Sequence, residues 1–366
     1  MRSLFKWVFI ICLLAAGWLY AEEQIDRINV ASIKDKISSF IDSEELSNLY
    51  ASFQSLFHQL EKELVQEEPA ENIEQPVLEE PEEQVFSVYN VEIGNSKSEV
   101  EANIGTPQRT SYNEYGKNWS TYHENYHNFI SVMYDENDTV VGLYTNQDLI
   151  SSSIGLSLDS TKEEVRQQLG NPLTGIRKGL VVYQYQQDAG FDVFQVNNSY
   201  VTIFYDIHEN DTVTAIQIIE EKTEKEKSNY YTAASSELRE GFKYQLFDLT
   251  NAARVVHQLS VLTWDDAVRV TAREHSKDMA DNNYFSHTNL RGQSPFDRME
   301  EDDLYYTMAG ENLAYGQTSS IFAHEGLMNS LGHRENILQA KYEYLGVGVA
   351  FNGDNHPYYT ENFYTK

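Results

Sequence analysis

The stretch SLGHRENIL, residues 330–338, carries the side chain with the clearest chemical capacity in this chain. An imidazole changes charge near neutral pH, so it serves as acid, base or metal ligand. His333 follows Gly332, which reads as the stop of a helix over about 320–331. A histidine in that place can also do no more than close a turn. The other histidines divide by context. His324-Glu325 opens the zinc-protease pattern H-E-x-x-H, but position 328 is Met, and the motif fails. Ser286 adjoins His287, and Ser330 precedes His333 by three residues. Neither serine stands in the strand–turn–helix text of a nucleophile elbow, so no serine triad is assigned. Cys12 is the only cysteine.

These side chains need a scaffold, and the text from Phe242 onward supplies one. Phe247, Val255 or Val256, and Leu259 make one helical stripe; Val268, Ala272, His275 and Met279 make the next. Asp265 reads as the cap of the second helix and Asn282-Asn283 as its end. His257 and His275 fall on these helices and read as core or flank. A final hairpin, YLGVGVAFNGDNHPYYTENF, turns at Asn352-Gly353.

The ordered motifs FSHT, GENL, MNSLGHRENIL, GVGV and YYTENF, after the L-x-W-x-x-x-V of Leu262 to Val268, are specific. Residues 242–366 resemble the CAP superfamily (cysteine-rich secretory, antigen-five and pathogenesis-related proteins, the SCP domain) in its disulfide-free bacterial form. The resemblance implies an α-β-α sandwich with a central antiparallel sheet. It also implies a cleft of two histidines and two acids, carried over to His287, Glu311 and His333. The second acid should close the motif W-x-N-E, which here reads Leu327-Met328-Asn329-Ser330, so Ser330 stands where the acid is expected. Two imidazoles and a carboxylate suit Zn²⁺ or another divalent cation with a place left for water. A metal-assisted hydrolase would use His287 and His333 as ligands and Glu311 as base or third ligand, but the obvious base is lost at Ser330. Glu325 and Glu361 are further acids that sequence alone does not place.

Upstream, the chain repeats itself. SKSEVEANIGTP (96–107) and TKEEVRQQLGNP (161–172) each open on a capping box, Ser96 with Glu99 and Thr161 with Glu164. Gly105 and Gly170 stop them, and YDENDTV and YDIHENDTV mark the same hairpin turn in both copies. Two helix-plus-antiparallel-sheet units follow, 88–150 and 151–222, and together they resemble the CAP-associated N-terminal module. Neither copy holds a nucleophile, a metal cluster or a phosphate loop. The fold class expected for the whole is therefore α+β.

Before the repeats, residues 65–87 are acidic and proline-punctuated and read as a disordered linker. Residues 32–64 carry an amphipathic helical stripe. Arg2 and Lys6 precede an apolar run from Trp7 to Ala21, the layout of a signal peptide or signal anchor. The chain is thus expected to be exported, touching membrane only through that segment. A formal net charge of -30 excludes nucleic acid as a partner class. The functional expectation is a non-enzymatic module that binds a small ligand, an ion or a cell-surface component. The alternatives are the metal-assisted hydrolase and a lipid carrier, for which no apolar groove is visible.

Overall fold

The computed structural model describes residues 73–185 and 190–366. The signal-like run and the amphipathic stretch over 32–64 lie outside the described residues, as does the linker's first part, 65–72.

The two repeats open on α1 (Lys97–Ile104) and α2 (Lys162–Leu169). Ser96 and Thr161 accept from the backbone N–H of Glu99 and Glu164, and those carboxylates accept from the caps' own N–H at 2.8 Å. Each helix ends at a glycine with φ near 80°, Gly105 or Gly170. The first copy continues into β2 (Arg109–Tyr112), β3 (Asn118–Glu124), β4 (His127–Tyr134) and β5 (Val140–Thr145), and the second ends in β9 (Phe191–Val196), β10 (Ser199–Asp206) and β11 (Thr212–Glu220). They form one seven-stranded sheet in the order β2-β3-β4-β5-β11-β10-β9. β5 and β11 are the same strand in the two copies, and they pair antiparallel at the middle. Counted from Val140 and Val213, Tyr144 and Gln217 are equivalent positions, and they are also cross-strand partners. A pseudo-twofold axis therefore runs between them. The symmetry fails after the helices: the first copy gives the sheet a fourth strand, β2, where the second instead forms a separate hairpin, β7 (Gly175–Lys178) with β8 (Val181–Gln184).

Alternation along the strands gives the sheet two buried faces. One packs Val132, Leu143, Ile203 and Ile216 under Val100 of α1 and Val165 of α2. The other presents Trp119, Phe129, Met133 and Phe204 to Leu249, Ala252 and Ile321 of the last domain, so the two domains share a core.

The expected disordered linker over 65–87 is corrected for its described part. Residues 82–84 donate their backbone N–H groups to the carboxylate of Glu92 at 2.7–3.0 Å. Asn90 binds the carbonyl of Val77 and the N–H of Glu79, and β1 (Phe86–Val88) pairs with β6 (Ile150–Ser152). Backbone amides do this fastening, and an acidic side-chain composition does not oppose it.

After the short α3 (Glu221–Glu226), the last domain runs α4 (Ser236–Val256), β12 (Thr263–Trp264), α5 (Asp266–Asn282), α6 (Pro295–Glu301), β13 (Met308–Tyr315), α7 (Ser320–Met328), α8 (Leu331–Ile337), β14 (Tyr344–Phe351) and β15 (Pro357–Thr365). Its sheet order is β12-β14-β15-β13, antiparallel except for the two-residue β12. Leu345, Val347, Val349, Tyr359 and Phe363 face α4, α7 and α8. The alternate residues face α5, with Ala350 and Tyr358 against Met279. The G-V-G-V text has a physical reason: a Cβ on Gly346 or Gly348 would lie 2.3 or 2.2 Å from the backbone of α5. The result is helix, sheet, helix.

Two details depart from expectation. Gly332 does not stop a helix. α7 ends at Met328, and Gly332 lies inside α8. The break falls at Asn329, whose amide binds the backbone of Tyr205 and Ile207 in the duplicated domain at 2.9 and 3.1 Å. The last hairpin also turns more widely than Asn-Gly implies, the Asn352 N–H donating to the His356 carbonyl.

Candidate functional site

His287 lies in the loop after α5. That loop is pinned from below by His275, whose Nε2 donates to the Ser286 carbonyl at 2.9 Å. His275 is thus a loop support as well as a core residue. The His287 Nδ1 lies 2.9 Å from Glu311 Oε1. A carboxylate only accepts, so the proton is on Nδ1 and the Nε2 lone pair points outward. The Glu311 side chain is 1% exposed while that of His287 is 53% exposed. Arg298, on α6, completes the set: Nη2 donates to Glu311 Oε2 at 2.5 Å and Nη1 to the His287 carbonyl at 2.8 Å. Guanidinium, carboxylate and imidazole are therefore locked in one chain.

His333 arrives from the opposite layer. Glu311 shares the α5 face of edge strand β13 with Leu313. Asn312 points the other way, where its Nδ2 donates to the His333 carbonyl at 3.1 Å. Asn336 fastens α8 to the same strand through Asn312 Oδ1 (2.9 Å) and the Glu311 carbonyl (3.3 Å). Burial lowers the His333 pKa first, and the charge of His287, close enough past this edge to act on it, lowers it further. His333 thus holds a neutral ring to lower pH than an ordinary histidine.

The other candidates sit elsewhere. Glu361 is fully buried, accepting from Thr250 Oγ1 at 2.7 Å and Asn312 Nδ2 at 3.2 Å, and burial pushes its carboxyl up to about 7. Glu325 accepts from the Tyr144 hydroxyl at 2.6 Å between the domains and is likewise pushed to about 7. His324 is buried and pushed down to about 3; His257 caps α4. Sequence reasoning missed Arg298, which no motif marks. It also missed Asn312 and Asn336, which stand inside GENL and GHRENIL.

Residues 247–363 match the model of the cysteine-rich secretory protein family (CAP), and residues 93–230 match that of the CAP-associated N-terminal domain. The chain thus carries a CAP domain behind a CAP-associated N-terminal domain. It is 29% identical over 289 residues to the uncharacterized membrane protein YlbC of Bacillus subtilis (strain 168), covering 74% of this chain and 82% of that one. It is 39% identical over 128 residues to the uncharacterized protein YkwD of the same strain, 35% of this chain and 49% of that one. A solved extracellular protein containing an SCP domain, from Bacillus anthracis str. Ames, superposes with a TM-score of 0.65 at 26% identity, over 80% of this chain and all of that one. A cysteine-rich secretory protein from Staphylococcus aureus subsp. aureus Mu50 shares the fold, with a TM-score of 0.58 at 16% identity, over 75% of this chain and 91% of that one.

In this CAP domain Ser330 keeps one task at the position of the expected acid: its Oγ lies 2.8 Å from His333 Nδ1, so it orients the ring without supplying a charge. For a cation, the donor set fits only in part. Two Nε2 atoms are presented, but both Glu311 oxygens are engaged by His287 and Arg298. Among the described residues no group of three or more His, Cys, Asp or Glu is arranged around one ion. The arrangement is that of a carboxylate behind a histidine, the usual support for an imidazole ligand.

Proposed function

We propose that this protein is exported and that its CAP domain is a binding module, presenting the Nε2 atoms of His287 and His333 to a small ligand, an ion or a component of the cell surface. The supporting observation is the state of Glu311. It orients His287 and is neutralised by Arg298, so it is not poised as a general base, and Ser330 replaces the other acid. Export is supported by the signal-like N-terminal text and by the relatives, one named a membrane protein and one an extracellular protein. A divalent cation in this cleft would be held by the two imidazoles alone, with Glu311 setting the orientation of the His287 ring.

The test is hydrolysis of peptides and cell-wall fragments by the purified protein, with and without Zn²⁺, beside NMR of the imidazoles during a Zn²⁺ titration. The expected outcome is no turnover, with the resonances of His287 and His333 moving together. Turnover that both a chelator and His333→Ala abolish overturns the reading in favour of a metal-assisted hydrolase.

A further inference from the structure

The seven-stranded sheet meets the CAP domain unevenly. The first copy's half is closed by α4. The second copy's half meets α7 through Phe191 and Phe204, whose rings lie 5.2 and 5.3 Å from that of Phe322, and beside them leaves a cavity of about 370 Å³, within the roughly 300–1,000 Å³ range of ligand sites. Phe204 and Gln217 lie on its floor, Phe322 and Glu325 of α7 on its roof, and Lys178 of the extra hairpin on its wall. The hairpin that breaks the repeat's symmetry therefore builds this enclosure. Neither His287 nor His333 lines it.

Three observations define what fits. Gln217 is 2% exposed, and its Nε2 has no partner among the described residues; the buried Oε1 of Gln317, also on the lining, has none either. One donor and one acceptor thus wait unfilled, where native proteins leave few such groups. The charges, by contrast, are already closed. Lys178 pairs with Glu224, Glu224 also accepts from the Tyr115 hydroxyl at 2.7 Å, and Glu325 accepts from Tyr144. Lys227 lies over the Tyr115 ring, 5.4 Å from its centroid, with the charges of Glu114 and Glu224 acting on it, so both lining lysines are already offset by carboxylates of the chain. The walls are rich in tyrosine, and a line of ring contacts leads away. It runs from Tyr183 through Tyr230, Tyr231, His356 and Tyr315 to Phe285, with centroid separations of 4.3–5.9 Å. Phe285 stands two residues before His287.

We infer that the cavity between the domains binds a neutral saccharide, its C–H faces against the aromatic walls and its hydroxyl or amide groups completing Gln217 and Gln317. An anionic ligand would have to compete with the carboxylates that already act on Lys178 and Lys227, and a purely apolar one would leave both glutamine atoms unfilled. An uncharged molecule with apolar faces and polar edges meets every condition. The aromatic line offers a longer chain a path towards the CAP cleft.

The experiment is calorimetric titration of the full chain with the trimer of N-acetylglucosamine, with cellotriose, and with trialanine acetylated and amidated at its ends as an uncharged peptide. Saturable binding of at least one saccharide at one site per chain is expected, with no response to trialanine. Gln217→Met and Gln317→Met each weaken that binding about tenfold, the loss of one ligand hydrogen bond. Because Met removes an unfilled polar group, the unliganded Gln217→Met protein keeps or raises its melting temperature, which a structural role for Gln217 would not allow. Absence of saccharide binding, indifference to both Met variants, or preference for the peptide overturns the inference.

Discussion

The two copies of the repeat begin alike and end differently. Both have the same capping box, the same glycine stop and the same turn text, and both give their central strand to one sheet. Yet the first copy spends its outer face on the CAP domain. Trp119, Phe129, Met133 and Tyr144 are buried against α4 and α7, Arg109 pairs with Asp248 at 2.7 Å, and Tyr126 binds the same carboxylate at 3.1 Å. The second copy meets the CAP domain through Phe191 and Phe204 against Phe322 of α7, through Asp206 to Arg334 at 2.7 Å and through the Asn329 contacts, and encloses a cavity beside them. Duplication supplied the architecture, and divergence at a few positions assigned docking to one half and enclosure to the other. The pseudo-twofold axis shows this within one cross-strand pair, where the Tyr144 hydroxyl is tied to Glu325 and the Gln217 side-chain nitrogen has no partner among the described residues.

The largest effect that tests this division comes from two glycines. A Cβ on Gly241 of α4 would fall 1.8 Å from the carbonyl oxygen of Tyr112 on β2, a backbone atom that cannot swing aside. Gly241→Ala should therefore cost about 3 kcal/mol or more, by parting α4 from the first copy. Gly190 belongs to the second copy and has φ of 76°. Its Cβ would meet the side-chain nitrogen of Asn329, which can move, so Gly190→Ala should cost roughly 1–2 kcal/mol, mainly from the left-handed backbone. Urea unfolding midpoints check both, and equal losses would break the contrast between a sealed half and an open one.

The second effect concerns pH and the axis pair. Burial raises Glu325, Glu114 and Glu361 to about 7 and Asp248 to about 6. Each folded-state value lies above the unfolded one, so folding favours the protonated acid. That stability is complete below about pH 4.5 and is lost as pH rises through 7, on the order of 2–3 kcal/mol for each group at 7. The exposed capping carboxylates Glu99 and Glu164, held low by their hydrogen bonds, act in the opposite direction at the acid end. Glu325→Gln should flatten part of the fall between pH 4.5 and 7. Tyr144→Phe removes a bond that lowers the Glu325 pKa, so it should cost roughly 1–2 kcal/mol at neutral pH and steepen the same fall. Gln217→Met, at the equivalent position, should cost nothing. Thermal melts across the pH range decide it, and a loss at Gln217 matching that at Tyr144 would show the two halves to be docked alike.

Legibility in the sequence followed the range of the forces involved. Local signals read well: the capping boxes, the glycine stops and the Asp265 cap are bonds between neighbours in the chain. The α+β class and the CAP sandwich could be read because ordered motifs such as FSHT, GENL and GHRENIL recur together. What could not be read depends on contacts between distant segments. Arg298 bears no motif, yet it fixes Glu311 in a role sequence reasoning had treated as that of a ligand or base. Gly332 carried the signature of a helix stop, but the break was set by Asn329 binding another domain. The acidic text before β1 looked unstructured because composition reports on side chains, while its anchors are backbone amides on Glu92 and Asn90. The cavity was invisible for the same reason, since its walls come from both copies and from α7.

The smallest effect probes what the copies still share. Ser96 and Thr161 cap helices that pack only on the sheet face turned away from the CAP domain, where Val100 and Val165 are buried alike. Neither cap touches the interface that divides the copies. Ser96→Ala and Thr161→Ala should therefore each cost about 1 kcal/mol, and their effects should add to within roughly 0.5 kcal/mol, because they share no partner. Denaturant midpoints of the two single variants and the double variant measure this. A clearly larger loss for Ser96→Ala would mean that docking reaches through the sheet and stiffens the whole first copy. Equal losses would confine the divergence to one face, where an unpaired amide and a hairpin of ten residues, Gly175–Gln184, separate a docking surface from an enclosure.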